Sequence, residues 1–327
     1  MIINGVSMKL SVIVPVYNEQ ENIKPLYQAI HKAMQPLKIQ WELILVDDGS
    51  RDKGLDVIQE LVQKDLKHTS AIVFRRNFGQ TAAIAAGIDH ARGDVIILLD
   101  ADLQNDPADI PLLLQKIDEG YDVVSGWRYD RKDRFLTRTL PSRIANYLIS
   151  IVTGVHLHDY GCTLKAYRRE VITGFRLYGE MHRFIPVYAN SIGAKIIEVR
   201  VHHHPRTYGK AKYGLERTIK VILDLFTVKF LTSYAKKPIY LFGGTGALMM
   251  LLGGATLLFL FIRRVWFNVG VTASPLFLIG VTATILGFQS ILMGLIAELL
   301  VRTYHESQKK PIYTIRNILN GRRITKP

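Results

Sequence analysis

The chain has 327 residues, of which 48% are hydrophobic and 21% are charged, and its formal net charge is +14. This apolar content excludes a disordered chain, and the length predicts about two structural units. Cys162 is the one cysteine of the sequence, which excludes an intramolecular disulfide framework and a cysteine-rich zinc site. The opening segment, MIINGVSMKL, contains no long apolar run and therefore predicts no signal peptide.

The N-terminal part of the chain alternates between short apolar runs and helical patterns. The runs are rich in β-branched residues, as in parallel strands that are buried on both faces. We predict strands at 10–16, 43–46, 71–74, 95–99 and 123–125, and helices around 20–34, 52–65, 80–91 and 107–118. This alternation predicts an α/β fold with a mostly parallel sheet and helices on both faces.

Polar residues follow the first four predicted strands, at the end of the sheet where ligands of such folds bind. Asp100 and Asp102 follow the fourth strand, and residues two apart in an extended chain point the same way. Paired carboxylates, completed by water and phosphate oxygens, are typical ligands of Mg²⁺ or Mn²⁺. Structural alternatives exist, because Asp48 and Ser50 are also suited to helix caps and Asp102 to a turn.

Two segments have the pattern of amphipathic helices. Residues 140–152 carry an apolar stripe beside basic residues, and residues 214–236 have apolar and polar faces directly before a long apolar run. Such helices lie in the interface of a membrane. The alternative for both is packing on the α/β domain.

Two long uncharged stretches predict transmembrane helices at about 238–262 and 275–299. The alternative, a buried core helix, is rare for two such stretches in tandem. The Gly243-x-x-x-Ala247 pattern permits close helix packing and indicates a possible homo-oligomer.

Basic residues predict the orientation of this hairpin. Residues 299–327 contain seven lysines and arginines against Glu306, whereas the loop between the helices has Arg263 and Arg264. The positive-inside rule therefore places both termini in the cytoplasm and the protein in the inner (plasma) membrane. Further basic blocks at 128–143 and 200–220 indicate anionic headgroups and phosphates as partners, rather than nucleic acid.

At this point the sequence resembles a known family. VPVYNEQENI (14–23), LVDDGSRDKG (45–54), RNFGQTAAIAAGID (76–89) and LDADLQNDP (99–107) are similar to motifs of family 2 glycosyltransferases with the GT-A fold. DYGCTLKAYRREV (159–171), HRFIP (182–186) and HHPRTYGKAKYG (203–214) resemble bacterial polyprenyl-phosphate glycosyltransferases of that family. The implied domains are a cytoplasmic GT-A domain (1–213), an interfacial helix (214–236), a transmembrane hairpin (237–301) and a basic cytoplasmic tail (302–327).

The resemblance implies roles for the donor side of the site. Pro15, Tyr17, Glu19 and Asp47 would line the nucleotide base pocket. Asp100 would contact the ribose or a metal-bound water, and Asp102 would ligate a divalent cation, Mg²⁺ or Mn²⁺.

For the acceptor side, the resemblance places Gln104 beside the sugar or the acceptor and makes Asp159 the candidate base or orienting residue. Some relatives have an acidic residue nearer to the position of Thr163. The remaining candidates are basic residues that would bind the diphosphate or the lipid phosphate, although arginines also occupy solvated faces: Arg206, Lys210, Lys212, Arg128 and Arg138.

The implied reaction is inverting transfer of a sugar from a nucleoside diphosphate sugar, UDP-sugar being favoured, to a polyprenyl phosphate such as undecaprenyl phosphate in the bilayer. One alternative is a processive polysaccharide synthase, whose Gln-x-x-Arg-Trp element Glu180-x-x-Arg183-Phe184 partly matches. Two spans offer little material for a translocation channel. The other alternative is a non-catalytic membrane scaffold, against which the intact Asp-x-Asp pair argues.

Overall fold

The computed structural model describes residues 2–3, 6–7, 9–130, 140–173, 177, 181–205, 239–271, 274–307 and 314–320. These residues fall into two compact units, an α/β unit that contains all the strands and a unit of two long helices. The predicted interfacial segment 214–236 lies outside the described residues. The same holds for the candidate phosphate-binding residues Arg138, Arg206, Lys210 and Lys212.

The α/β unit is built on one eight-stranded sheet with the order β10-β5-β4-β3-β6-β8-β7-β9. β1 (Ile2–Ile3) and β2 (Val6–Ser7) form a separate antiparallel pair. The strands of the large sheet are β3 (Lys9–Val16), β4 (Gln40–Asp47), β5 (Thr69–Phe74), β6 (Val95–Leu98), β7 (Val123–Trp127), β8 (Lys165–Arg168), β9 (Ile196–Arg200) and β10 (Ile315–Leu319). The prediction of a mostly parallel α/β sheet is confirmed, with β8 and β10 as the antiparallel strands.

Helices connect the strands, and the four predicted ones are present with shifts of a few residues. The predicted helix at 107–118 begins as a 3₁₀ turn, Pro107–Asp109. The helices of this unit are α1 (Gln20–Met34), α2 (Gly54–Lys64), α3 (Gln80–His90), α4 (Ile110–Asp118), α5 (Leu140–Thr153), α6 (Arg169–Ile172) and α7 (Ile185–Ser191).

The central strands are buried on both faces, which is why their sequences are continuous apolar runs. Val12 and Val14 pack in the main hydrophobic core, whereas Ile13 points to the other face of the sheet. A Cβ at Gly87 of α3 would lie 2.3 Å from Cγ2 of Ile13. Glycine at this position therefore lets α3 approach the sheet directly beneath the strand ends.

α5 is the segment that the sequence predicted as either interfacial or packed on the domain. One face packs on the domain, where Asn146 Nδ2 donates to the His158 carbonyl at 2.7 Å and Ile149 is buried. Tyr147 and Ile151 are exposed on the same helix, at 67% and 58%. The structure thus shows packing on the domain together with an exposed apolar surface.

β10 was not predicted, because the sequence indicated only a basic tail in this region. It pairs antiparallel with β5 at one edge of the sheet. Asn320 secures its end, since Nδ2 donates to the carbonyls of Leu66 and Thr69 at 2.7 and 2.8 Å. The chain therefore returns to the sheet after the two long helices.

The second unit consists of α8 (Ile239–Phe267) and α9 (Pro275–Ser307). Residues 242–267 and 275–297 are long and apolar enough to cross a membrane, which agrees with the predicted spans. Only 17% and 11% of the most apolar windows are buried. A core helix of a soluble protein would be mostly buried, so this exposure favours an apolar solvent around the pair.

Glycines at intervals of seven residues allow α8 and α9 to pack closely. A Cβ at Gly246 would lie 2.5 Å from the Gly287 carbonyl oxygen, and one at Gly253 would lie 2.8 Å from that of Gly280. Ser290 Oγ also donates to the Phe242 carbonyl at 2.9 Å. These contacts join the helices within one chain, as expected for helix packing in membranes, where small residues permit close approach.

We predict that Gly253→Leu destabilises the hairpin by about 1–3 kcal/mol, because a larger side chain must displace the backbone of α9. Gly254→Leu is the matched control, since a Cβ at Gly254 has no neighbour within 4 Å. The measurement is the thermal midpoint of the purified protein in detergent. Equal midpoints for the two variants would contradict the packing.

Candidate functional site

The site lies at the carboxyl edge of the sheet. β3 pairs in parallel with β4 and β6, and β4 pairs in parallel with β5, so these four strands end at the same edge. β8 runs the other way, and its first residue, Lys165, pairs with Leu98 of β6 and Ser125 of β7. The loop before β8, which contains Asp159, therefore reaches the same edge as the loop after β6, which contains Asp100 and Asp102.

The loops after β3 and β4 are bound to each other. Asn18 N–H donates to Ser50 Oγ at 3.0 Å, and Arg51 N–H donates to Asn18 Oδ1 at 2.8 Å. Ser50 N–H in turn donates to Asp47 Oδ1 at 3.2 Å, and burial raises the pKa of Asp47. Glu19 is buried and accepts a hydrogen bond from Asn22 Nδ2 at 2.6 Å.

The four predicted base-pocket residues lie at the ends of the neighbouring strands β3 and β4 or directly after β3. Pro15 lies in β3 opposite Val46, and Tyr17 follows β3 directly. Asp47 ends β4, and Glu19 precedes α1. The geometry brings all of them to one corner of the carboxyl edge.

Asp48 organises the third loop, a role that sequence analysis did not assign. Its carboxylate accepts hydrogen bonds from Asn77 Nδ2 at 2.9 Å, Phe78 N–H at 2.7 Å and Gly79 N–H at 2.9 Å. Burial raises its pKa to about 6, so the group is ionised at neutral pH and holds all three donors. The sequence signal for this role is the adjacent glycine, because a glycine directly after an aspartate can mark a close approach of two loops. Gly49 has φ +69°, and a Cβ there would lie 2.5 Å from the Arg76 carbonyl carbon.

Asp100 and Asp102 follow β6 as predicted, but the chain turns at residues 101–103 instead of remaining extended, so Asp102 also occupies the turn position considered as the alternative. Asp100 Oδ1 accepts a hydrogen bond from Gln80 Nε2 at 2.7 Å, and Asp102 Oδ1 accepts one from the Gln104 N–H at 3.2 Å. Gln80 begins α3, so the helix beneath the sheet orients the first carboxylate.

The two carboxylates could supply part of the coordination of a hard divalent cation, with the other ligands supplied by a bound substrate or water. Within the described residues there is no group of three His, Cys, Asp or Glu side chains that could hold a metal alone. Mg²⁺ and similar ions are commonly held by one or two carboxylates, with substrate phosphates completing the coordination. Two carboxylates would therefore suit a divalent cation whose remaining ligands come from water or a substrate phosphate.

The buried Asp159 forms a bidentate ion pair with the partly buried Arg128. Arg128 Nε donates to Oδ2 at 2.7 Å and Nη2 donates to Oδ1 at 2.9 Å, while the Gly161 N–H also donates to Oδ1 at 3.1 Å. A carboxylate held by a guanidinium and a backbone N–H is a poor proton acceptor. Of the two roles considered for Asp159, the geometry therefore favours orientation over general base.

Cys162 and Thr163 lie next to this pair. Burial raises the pKa of the Cys162 thiol to about 12, which removes it as a nucleophile. Its Sγ lies 3.5 Å from Asn105 Oδ1, so the loop before β8 contacts the loop that follows Asp102 and Gln104.

Comparisons with known proteins identify this arrangement. The family model for glycosyl transferase family 2 matches residues 11–175. The chain belongs to this family. It is a glycosyltransferase, and the matched region contains the loops after β3, β4, β5 and β6 as well as the Arg128–Asp159 pair.

Curated relatives extend over nearly the whole chain. A dodecaprenyl-phosphate galacturonate synthase from Rhizobium johnstonii is 42% identical over 96% of this chain and 94% of its own length. An undecaprenyl-phosphate 4-deoxy-4-formamido-L-arabinose transferase from Edwardsiella ictaluri is 39% identical over 95% and 94%. These findings confirm the resemblance to polyprenyl-phosphate glycosyltransferases.

A solved structure shows the same fold at low sequence identity. Glucosyl-3-phosphoglycerate synthase from Mycobacterium tuberculosis, crystallised with Mn²⁺, UDP and phosphoglyceric acid, has a TM-score of 0.50 and 18% identity. The match covers 68% of this glycosyltransferase and 78% of the synthase. It supports the GT-A fold of the α/β unit.

We predict that Asp48→Asn weakens donor binding and lowers the free energy of unfolding by about 1–3 kcal/mol. The new amide group would face an N–H donor and leave a buried hydrogen bond unmade. Asp56→Asn, on the exposed side of α2, is the control. The measurements are chemical unfolding and KM for the donor sugar nucleotide.

The pH dependence of the wild-type protein provides a second test of the Asp48 hydrogen bonds. Protonation of Asp48 below its pKa of about 6 removes an acceptor, so donor KM should rise as the pH falls through that value. The Asn variant has no such group and should lack this rise. If the wild type and Asp48→Asn have the same donor KM at every pH, Asp48 has no role in donor binding.

Proposed function

We propose that this glycosyltransferase transfers a sugar from a UDP-sugar to undecaprenyl phosphate or a similar polyprenyl phosphate, with inversion, at the cytoplasmic face of the inner membrane. The observation that carries the proposal is the agreement of two relatives, over at least 94% of each chain, on a polyprenyl-phosphate sugar product. The Asp-x-Asp pair at the carboxyl edge and the two apolar helices are consistent with it.

The donor nucleotide binds, in this proposal, at the corner formed by the loops after β3 and β4. Pro15, Tyr17, Glu19 and Asp47 contact the base, and their loops are joined by the Asn18 and Ser50 hydrogen bonds. UDP is the proposed nucleotide, because the solved synthase of similar fold was crystallised with UDP.

The divalent cation, Mg²⁺ or Mn²⁺, is assigned to Asp102 with Asp100. When bound, it would neutralise the charge that develops on the departing diphosphate. The protein's own contribution is to orient both carboxylates, through Gln80 on Asp100 and the Gln104 N–H on Asp102. Lys210, Lys212 and Arg206 are proposed to add positive charge near the phosphates.

The acceptor needs little activation. A phosphate monoester has a second pKa near 6, so its oxygen is largely ionised at neutral pH and no strong base is required. The low demand for a base agrees with the ion pair between Arg128 and Asp159, which makes Asp159 a poor proton acceptor. Gln104 is proposed to lie beside the sugar or acceptor, and Arg128 and Arg138 to bind the lipid phosphate.

The proposed topology rests on two independent observations. The positive-inside pattern supports a cytoplasmic position for both termini. In addition, β10 follows α9 in the chain and pairs with β5, which precedes α8. If α8 and α9 each cross the bilayer, the connecting residues near Asn268 must lie on the side opposite the sheet.

We predict that wild-type protein transfers labelled sugar from a UDP-sugar to undecaprenyl phosphate, giving a product that extracts into organic solvent. Asp102→Asn should lower turnover by about 100-fold or more, because loss of a charged ligand removes stabilisation of the leaving diphosphate. Asp118→Asn, exposed at the end of α4, is the matched control. A water-soluble polymeric product would disprove the assignment of the acceptor. Normal turnover of the Asp102 variant would disprove the assignment of the metal site.

The topology makes a separate prediction. In a Cys162→Ser background, a cysteine at Asn268 should react with an impermeant thiol reagent on intact spheroplasts, and one at Ser307 should react only after permeabilisation. Labelling at Ser307 alone would reverse the orientation. Equal labelling at both positions would disprove the hairpin.

A further inference from the structure

Two guanidinium groups from distant parts of the chain meet beside Gly161. A methyl group at this glycine would lie 3.2 Å from Arg128 Nη2 and 3.6 Å from Arg183 Nη1. It would also lie 3.5 Å from Asp159 Oδ1. The absence of a side chain at Gly161 therefore leaves space that is bordered by two arginines.

Contacts on the domain hold the side chain of Arg128 and the backbone turn that carries Arg183. Arg128 is fixed by its two hydrogen bonds to Asp159. Arg183 lies in the 3₁₀ turn Met181–Phe184, whose Phe184 is fully buried. Its neighbour His182 contacts α3, with Nδ1 at 2.7 Å from Thr81 Oγ1. A guanidinium group that is fixed as that of Arg128 is can bind an anion without a large loss of side-chain entropy, and the anchored turn limits the positions open to Arg183.

A third cation lies behind the loop. Lys165 is 2% exposed, and its Nζ donates to the carbonyl of Tyr160 at 3.0 Å and also to that of Cys162. These carbonyls belong to the residues on either side of Gly161, so Lys165 fixes the loop at this glycine. Lys165, Gly161 and Arg183 line one pocket.

The position of Gly161 and the two arginines relative to the strands indicates which substrate they serve. β8 and β7 lie beyond β6 in the sheet, on the side opposite β4 and the loops assigned to the nucleotide. Arginine binds phosphate oxygens through paired N–H groups and is well suited to a phosphate monoester. In the order of strands in the sheet, β6, which precedes the predicted metal site, lies between β3 and β4 on one side and β8 and β7 on the other.

We propose that Gly161, Arg128 and Arg183 form the binding site for the phosphate group of the acceptor, with Arg183 as a binding residue and Lys165 as a positioning residue. The proposal rests on the proposed function for the identity of the acceptor. It adds a residue from the HRFIP segment, which the family resemblance pointed to without giving it a role.

Kinetics with both substrates varied test the assignment. Arg183→Met should raise KM for undecaprenyl phosphate roughly tenfold or more, as expected for the loss of a charged hydrogen bond, and leave KM for the UDP-sugar within about twofold. Arg183→Lys should fall between the wild type and this variant, and Gly161→Ala should change KM in the same direction. Arg169→Met, at the opposite edge of the sheet on α6, is the matched control. An unchanged acceptor KM, or a rise in donor KM alone, would overturn the proposal.

Equilibrium binding separates this proposal from the proposed function. Titration calorimetry with farnesyl phosphate should show binding to the wild type and about tenfold weaker binding to Arg183→Met, with circular dichroism confirming that both are folded. If the wild type transfers no sugar but binding depends on Arg183, the proposed function is wrong and the phosphate site stands. If the wild type is active and the variant binds farnesyl phosphate equally well, the phosphate site is wrong and the function stands.

Discussion

β3 pairs in parallel with β4 on one side and with β6 on the other, and every part of the site depends on this pairing. Parallel strands end at the same edge, so residues far apart in sequence are delivered to one place. The loops proposed to bind the nucleotide follow β3 and β4, and the carboxylate pair follows β6. The antiparallel β8 then brings the Asp159 loop to the same edge from the opposite direction.

Buried charged groups convert these loops into fixed geometry. Asp48 holds the loop after β5, Asp159 holds Arg128, and Lys165 holds the two carbonyls beside Gly161. A charge removed from water is costly unless its hydrogen bonds are made, so each loop conformation is strongly preferred over alternatives that would leave the charge unpaired. The site is thereby organised before a substrate binds, which reduces the ordering cost of binding.

The two long helices interrupt the chain but not the sheet. Residues on either side of them pair as β5 and β10, and glycine contacts such as Gly246 with Gly287 join the helices to each other. If the two helices cross a membrane, as proposed, the segments before and after them lie on the same side of it. The pairing of β5 with β10 supports the proposed topology by geometry, and the basic residues support it by charge.

The sequence by itself determined the α/β class, the central strands, the two apolar helices, the family and the Asp100–Asp102 pair, because these depend on local periodicity and on contiguous motifs. Only the tertiary structure decided the partner of Asp159, the role of Asp48 and the meeting of Arg128 with Arg183. Those contacts join residues dozens of positions apart, and no local pattern encodes which distant side chain will fill a given space. The strand β10 was missed for the same reason, since an edge strand of mixed polar and apolar residues is stabilised by its partner rather than by its own sequence.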